Sequence, residues 1–308
     1  MNYTLQQIKA FHCIAKHKSI TKASEELNLT QPAVSIQLKR FQDQFDIPLT
    51  EVIGRQLYLT DFGYKILDIS EKILQNNDQI KEITNKYKGV LSGTIRVSSV
   101  STGKYVLPYF ISDFIKENPQ VDLIVDVSNR NTVIEKLKKN ETDIALVSLL
   151  PSDIEVDQLE LMKNHLFLVA SINNKSVKRV KGFKGLSNER MIIREQGSAT
   201  RKAMQAYLDA ADVSSSQKME LMSNEAVKQA VLANLGCSIM PLIGLKNELL
   251  NDQLQIVKMK NLPIETSWKF ISLKSKELNI ATQALLAYVK KHKEDIIKER
   301  FDWVNAFI

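Results

Sequence analysis

Gln31, Ser35, Ile36, Gln37, Lys39 and Arg40 sit in one short stretch, ITKASEELNLTQPAVSIQLKRFQDQF, spanning residues 20–45. Val34, Leu38, Phe41 and Phe45 recur there at i, i+4, i+7 and i+11, a single apolar stripe of a helix, and that stripe leaves the other six facing outward. Their chemistry suits the edges of base pairs. A glutamine can bridge N6 and N7 of adenine, a serine can bond a base edge or a phosphate, and an isoleucine can lie against a thymine methyl. Lys39 and Arg40 can hold phosphates and set register without reading sequence. Thr30 is the expected N-cap of this helix and Pro32 falls in its first turn, where a missing amide hydrogen costs nothing.

The elements around this helix fit the same chemistry. Thr21 is the expected cap of a preceding short helix whose Ala23 and Leu27 face inward, and Thr21 and Lys22 at its start join the DNA-contacting candidates. Two short helices about a tight Asn28-Leu29-Thr30 turn form a helix-turn-helix pattern, the second helix being the groove reader. Leu5, Ile8, Phe11 and Ala15 place another amphipathic helix before it, over residues 5–17. After it, GRQLYLTDFG (54–63) alternates Leu57 and Leu59 as a short strand does, a wing whose Arg55 can reach a minor groove or phosphate. From Asp61 to about Lys88 the apolar residues Ile66, Ile73, Ile80 and Tyr87 keep a seven-residue step, with Ile69 and Ile83 three positions on from two of them. Such a step is a coiled-coil seam and implies a partner helix, with Asn76 in the middle heptad fixing register. GVLSG (89–93) reads as a linker.

Beyond Thr94 the chain alternates strands and helices. Strands over 94–100, 121–128 and 143–148, with helices over 104–117 and 131–140, make a β-α-β-α-β run and imply a mostly parallel sheet. A second set has strands at 166–172, 191–194, 217–222 and 237–240 with helices at 199–211 and 224–235, and a strand at 268–273 and a helix at 277–292 close the chain. Two α/β units of similar size suggest a cleft. Ser99, Ser101 and Thr102 end the first strand, Asn129 and Arg130 follow the second, and Ser148 ends the third. Hydroxyls and amides at strand ends and helix starts make an anion site. In the second unit Gly197, Ser198 and Thr200 open a helix, with Arg201 beside them.

Composition narrows the classes. The chain has 308 residues, 44% of them hydrophobic, enough for two or three domains with ordinary cores. A net charge of +7 is compatible with a polyanion partner. Through Lys65, however, eight basic residues face six acidic ones, so the nucleic-acid case rests on pattern rather than charge. No run of about 18 apolar residues occurs, and MNYTLQQIKAF lacks the basic patch and apolar stretch of a signal peptide, so the expected location is cytoplasmic and no membrane is expected as a partner. Cys13 and Cys237 are far apart in apolar patterns, read as buried thiols. His12 and His17, at i, i+5, fall on different helix faces, and no metal site is expected.

Residues 1–63 resemble the winged helix-turn-helix of the LysR-type transcriptional regulators, on SITKASEELNLTQPAVSIQLKRFQDQFDIPL followed by LTDFG, and the resemblance runs on through the whole chain. The family commonly has Leu-Phe-Glu-Arg after this helix; here Leu49-Thr50-Glu51-Val52 stands instead, and Arg55 is the expected replacement for the lost arginine. The resemblance implies an α+β multidomain chain: a winged helix-turn-helix over 1–63, a long linker (dimerisation) helix and hinge over 64–93, and a two-lobed, periplasmic-binding-protein-like α/β effector domain over 94–308. Lobe I would take 94–163 and 266–308, and lobe II 164–265, with the effector between them. It further implies double-stranded promoter DNA and RNA polymerase as partners, pairing of linker helices in a homodimer and a homotetramer built as a dimer of dimers. STGKYVLPYF and SNRNTVIEKLKKNETDIAL are similar to the branch that includes regulators of the rubisco operon and of sulfur or nitrogen assimilation. That branch answers to metabolites or inorganic anions, so a small anion is the expected effector and no resident cofactor is expected.

Other classes explain less. There is no Gly-rich phosphate loop, no paired histidines and no Gly-x-Ser-x-Gly elbow, so no enzyme is expected. A solute-binding protein of a transporter would leave residues 1–88 unexplained, and a purely structural DNA-binding protein would leave the α/β half unused.

Overall fold

In the computed structural model, residues 1–54, 56–177, 189–211 and 218–308 are described. They form two compact units, Met1–Val90 and Leu91–Ile308.

The first unit contains α1 (Leu5–His17), α2 (Ile20–Leu27), α3 (Gln31–Gln42), the antiparallel pair β1 (Thr50–Ile53) and β2 (Gln56–Leu59), and α4 (Asp61–Tyr87). Thr4 and Gln7 cap α1 reciprocally, side chain to backbone in both directions. Lys18 and Asn28 adopt left-handed conformations that end α1 and α2. The cap of α2 is Ser19 and not Thr21: the left-handed turn at Lys18 leaves Ser19 extended, with its hydroxyl 3.3 Å from the Lys22 amide, so Thr21 lies inside the first turn. Thr30 caps α3, accepting from the Ala33 amide at 3.4 Å, with Pro32 in the first turn.

Val34 and Phe41 are fully buried, and Leu38 and Phe45 pack partly buried beside them. Phe41 sits at the centre, its ring 5.4 Å from Tyr3, 5.3 Å from Phe11 and 5.2 Å from Phe45. The heptad stripe of α4 divides. Ile66 and Ile73 pack on this core, whereas Ile80 and Tyr87 stand 65% and 91% exposed.

The second unit is built on one sheet. Its strands are β3 (Gly93–Val100), β4 (Val121–Ser128), β5 (Ile144–Val147), β6 (Val156–Ser171), β7 (Met191–Arg194), β8 (Lys218–Leu221), β9 (Cys237–Pro241), β10 (Leu254–Val257) and β11 (Ile264–Leu273). The order is β4-β3-β5-β11-β6-β9-β7-β8, with β10 also paired to β6. One half is parallel through β4, β3 and β5, and the other through β8, β7 and β9; the long antiparallel pair β6–β11 joins them. The helices are α5 (Leu107–Glu117), α6 (Arg130–Lys138), α7 (Ala199–Ala210), α8 (Asn224–Leu232), the short α9 (Lys246–Leu250) and α10 (Ile280–Phe301).

Alternation along β6 shows why helices cover both faces. Phe167 and Val169 join the large core with Val227 and Val231 of α8, while Leu166, Leu168 and Ala170 join a second core with Met204 and Leu208 of α7. The large core also takes in Ile95, Val97 and Trp268, so both halves of the sheet share it.

Several elements differ from expectation. β6 and β11 begin earlier than 166 and 268, because each strand has the other as partner from Val156↔Leu273 to Leu166↔Ile264. β10 was not anticipated. The helix expected from 104 opens as a 3-10 turn over Gly103–Tyr105, and α10 continues past residue 292 because Ile296, Ile297 and Phe301 find the core beyond the polar KKHKED stretch.

Candidate functional site

On α3, Gln31, Pro32, Ile36, Lys39 and Arg40 are exposed and Ser35 and Gln37 half-buried. Among the described residues, none of the side chains of Gln31, Ser35, Gln37, Lys39 or Arg40 makes a hydrogen bond or ion pair within the chain. Helix α3 thus presents two amides, a hydroxyl and two cations with no internal use, together with Ile36, an apolar side chain half exposed at 50%. The Thr30 hydroxyl is committed to its cap. Thr21 and Lys22 are exposed at the start of α2. Arg55 lies outside the described residues.

In the second unit, Ser101–Thr102, Asn129–Arg130 and Ser148 lie at the carboxyl ends of three adjacent parallel strands, β3, β4 and β5. The start of α6 meets the loop before α7. The Asn131 amide donates to the Gly197 carbonyl at 3.3 Å. Gly197 has φ +91, and a Cβ there would stand 3.0 Å from Asn131 Nδ2, so a residue without one is needed for this approach. Ser198 and Thr200 follow, both buried. The hydroxyls of Thr102, Ser198 and Thr200 make no hydrogen bond within the chain among the described residues, so polar groups converge here without internal partners.

Other candidates are already engaged. Ser99 is fully buried and donates to the Val100 carbonyl at 3.1 Å; a Cβ on Gly103 would stand 2.2 Å from its Oγ, so Ser99 forms the floor under the Thr102 turn. Asn129 caps α6 through the Thr132 amide at 3.0 Å. Arg130 donates to the carbonyls of Leu149 at 3.1 Å and Leu150 at 2.8 Å, and so ties down the loop after Ser148. Arg201 is held by Glu220 at 2.6 Å and by the Arg194 carbonyl at 2.9 Å. Behind Gly197, Arg194 and Glu195 form a buried bidentate pair, Nε to Oε2 at 2.7 Å and Nη2 to Oε1 at 2.8 Å, with Asn224 Oδ1 at 3.4 Å.

Sequence reasoning missed a bridge between the halves. Tyr105, just after β3, donates to Glu225 of α8 at 3.0 Å, and its ring lies against the backbone of Gly244. Burial, then Glu225, pushes the Tyr105 phenol above its ordinary range, so it stays a donor. Lys228 joins Glu225 at 3.2 Å to Glu248 at 2.7 Å behind it.

Comparison with known proteins decides between classes. A family model of a bacterial regulatory helix-turn-helix protein, lysR family, matches residues 5–64, and the LysR substrate binding domain matches residues 88–294. The chain belongs to the LysR family. The HTH-type transcriptional activator CmpR of Synechocystis is 36% identical over 296 residues, covering 96% of this chain and 97% of CmpR. The RuBisCO operon transcriptional regulator of Allochromatium vinosum is 31% identical over 290 residues, 94% of this chain and 96% of that one. Among solved structures, the CcmR regulatory domain of Synechocystis in complex with 2-PG is 28% identical with a TM-score of 0.62, covering 66% of this chain and 99% of that one. This LysR-family chain is therefore a DNA-binding transcriptional regulator with an effector-binding domain, and it is not an enzyme. Among its described residues no helix is long and apolar enough to cross a membrane.

Proposed function

We propose that this LysR-family regulator reads promoter DNA through Gln31, Ser35, Ile36 and Gln37 of α3. In this reading Lys39 and Arg40 hold phosphates, and the regulator is switched by a small anionic metabolite or inorganic anion. The free polar face of α3 supports the first part. The observation that carries the second is the junction of Asn131 with Gly197, which draws the starts of α6 and α7 together beside the unpaired hydroxyls of Thr102, Ser198 and Thr200. Amides and hydroxyls at helix starts favour anions. That the CcmR regulatory domain is held with 2-PG supports a small ligand at such a domain. The exposed Ile80 and Tyr87 of α4 support pairing of two chains along that helix, which sets two recognition helices on half-sites about one turn, or a multiple, apart. The family resemblance adds a homotetramer, RNA polymerase as a further partner and a cytoplasmic location.

Two measurements test the roles. In binding assays on a specific site selected from genomic fragments that the protein binds, and on random DNA, at two salt concentrations, Gln31→Ala is expected to cost roughly 1–3 kcal/mol at the site and to relax preference at one base pair. Lys39→Ala is expected to weaken both DNAs alike and to reduce the salt slope by about one. Equal effects of the two changes on site and random DNA would refute this division of labour. Separately, Thr102→Ala is expected to leave DNA binding intact and blunt the response to the anion, read with 2-PG and inorganic phosphate as probes. An effector moves the regulator only by its affinity difference between two states, about 1–3 kcal/mol, so loss of one hydroxyl contact is enough to blunt it. An undiminished response in Thr102→Ala removes that residue from the site.

A further inference from the structure

Three ligand-type side chains that the DNA-reading and anion-sensing roles leave unused converge at one end of the helix-turn-helix. Cys13 and His17 stand one turn apart on α1, at i, i+4, and Glu26 reaches them from the last turn of α2. One donor atom from each, the Cys13 Sγ, a His17 ring nitrogen and a Glu26 carboxylate oxygen, lies within 4.8 Å of the other two. His17 Nε2 and Glu26 Oε2 are 2.5 Å apart, and Cys13 Sγ faces the Ala23 carbonyl at 3.7 Å.

We propose that Cys13, His17 and Glu26 form a site for a divalent transition metal of the Zn2+ class. A thiolate, an imidazole and one carboxylate are a borderline-soft donor set; Mg2+ and Ca2+ prefer oxygen alone. Zn2+ bonds of about 2.3 Å to sulfur and about 2.0–2.2 Å to nitrogen and oxygen put tetrahedral ligand atoms roughly 3.3–3.7 Å apart, which small side-chain rotations reach from the present positions. Cys13 is buried while His17 and Glu26 are partly exposed, so the ion has an entry path and a fourth position open to water. On binding, the Cys13 S–H bond breaks, its proton leaves to solvent and a sulfur–metal bond forms; His17 gives a ring lone pair and Glu26 one oxygen, with no change of oxidation state. Burial, then the Glu26 charge, pushes the free thiol up to about 11, so without metal Cys13 is a neutral packing group.

Lys16 is the competitor, at 2.8 Å from Glu26 Oε2 and 3.0 Å from Oε1. The Lys16 side chain is over half exposed and can move off Oε2, the oxygen beside His17, and keep Oε1 while the metal takes Oε2. Without an ion, the ends of α1 and α2 are joined by the packing of Cys13 and Ile14 on Ala23 and Leu27, and at the surface by this pair and by His17, contacts of a kind that contribute little. A bound ion would fasten the turn of α2 that leads through Asn28 and Thr30 into α3. The site therefore gives the DNA-reading unit a dependence on metal separate from the effector.

The test is titration of the full-length, metal-stripped protein with Co2+ as an optical probe, followed by competition with Zn2+. One Co2+ per chain is expected, with a thiolate-to-cobalt charge-transfer band and tetrahedral d–d absorption that Zn2+ abolishes. Cys13→Ser is expected to lose the thiolate band, and Cys237→Ser to keep it. His17→Gln, which touches a half-exposed side chain and leaves the thiol packed, is expected to weaken Co2+ by more than about tenfold while keeping the native circular dichroism. A wild-type protein with no thiolate band, or a band that survives in Cys13→Ser, overturns the proposal, as does unaltered affinity in His17→Gln.

Discussion

Phe41→Ala is expected to unfold residues 1–90 at temperatures where residues 91–308 remain folded. The ring is 1% exposed and meets three other aromatic rings, so its loss removes apolar burial and leaves a cavity that neighbouring helices cannot close. Such a change costs about 3–5 kcal/mol. At roughly 0.05–0.15 kcal/mol per residue, a unit of this size holds about 5–14 kcal/mol in all, so the loss takes a large share of it. The sequence supplies a clean readout, because both tryptophans, Trp268 and Trp303, lie in the second unit. In a thermal scan the tryptophan emission midpoint should stay in place while part of the helical circular dichroism is lost early, and DNA binding should go with it. A common shift of both signals would show that the two units unfold together and that the assignment of the damage is wrong.

The second large effect is expected at Arg194→Met. The guanidinium and the Glu195 carboxylate are both buried, and removing the cation alone strands a charge in the protein interior. Breaking a pair of this kind costs about 3–5 kcal/mol, whereas replacing both partners by apolar groups of similar volume is close to neutral. The double change Arg194→Met with Glu195→Leu should therefore be more stable than the single one, a non-additivity measured by the denaturant midpoint of tryptophan emission. A double variant no better than Arg194→Met would mean that the pair is held by packing and that its charges matter little. Because the Glu195 carbonyl also accepts from the Ser198 amide at 3.3 Å, the single variant is expected to weaken the response to the effector as well.

Much of the DNA-reading unit is legible in sequence because its signals are local. Thr30, Pro32 and the Val34–Phe45 stripe each act within a few residues, and the structure has α3 where they put it. The cap of α2 was misread because Ser19 and Thr21 offer the same hydroxyl; the choice between them is made by a left-handed lysine, for which sequence carries no signal. Long-range pairing defeats local reading for the same reason. The first half of β6 looks polar and irregular alone, and becomes a strand because β11 runs beside it. At the proposed effector site, residue type identified arginines but not their partners: the carbonyls of Leu149 and Leu150 and the carboxylate of Glu220 offer the same kind of acceptor as a bound anion would. Tyr105 and Glu225, 120 positions apart, had no signal at all. The Cys13–His17 spacing was visible, but only the packing of α2 on α1 brings Glu26 to it.

The pairing of β6 with β11 slips at one place: Trp268 faces Met162 and Lys269 faces Glu160, so Leu161 bulges without a partner. Bulges bend a strand and sharpen its twist without ending the ladder on either side. The two halves of the regulatory domain are thus joined by a leaf spring and not by a slack tether. A shift of one half is therefore expected to reach the other as curvature of a continuous ribbon, because the ladder runs on either side of Leu161.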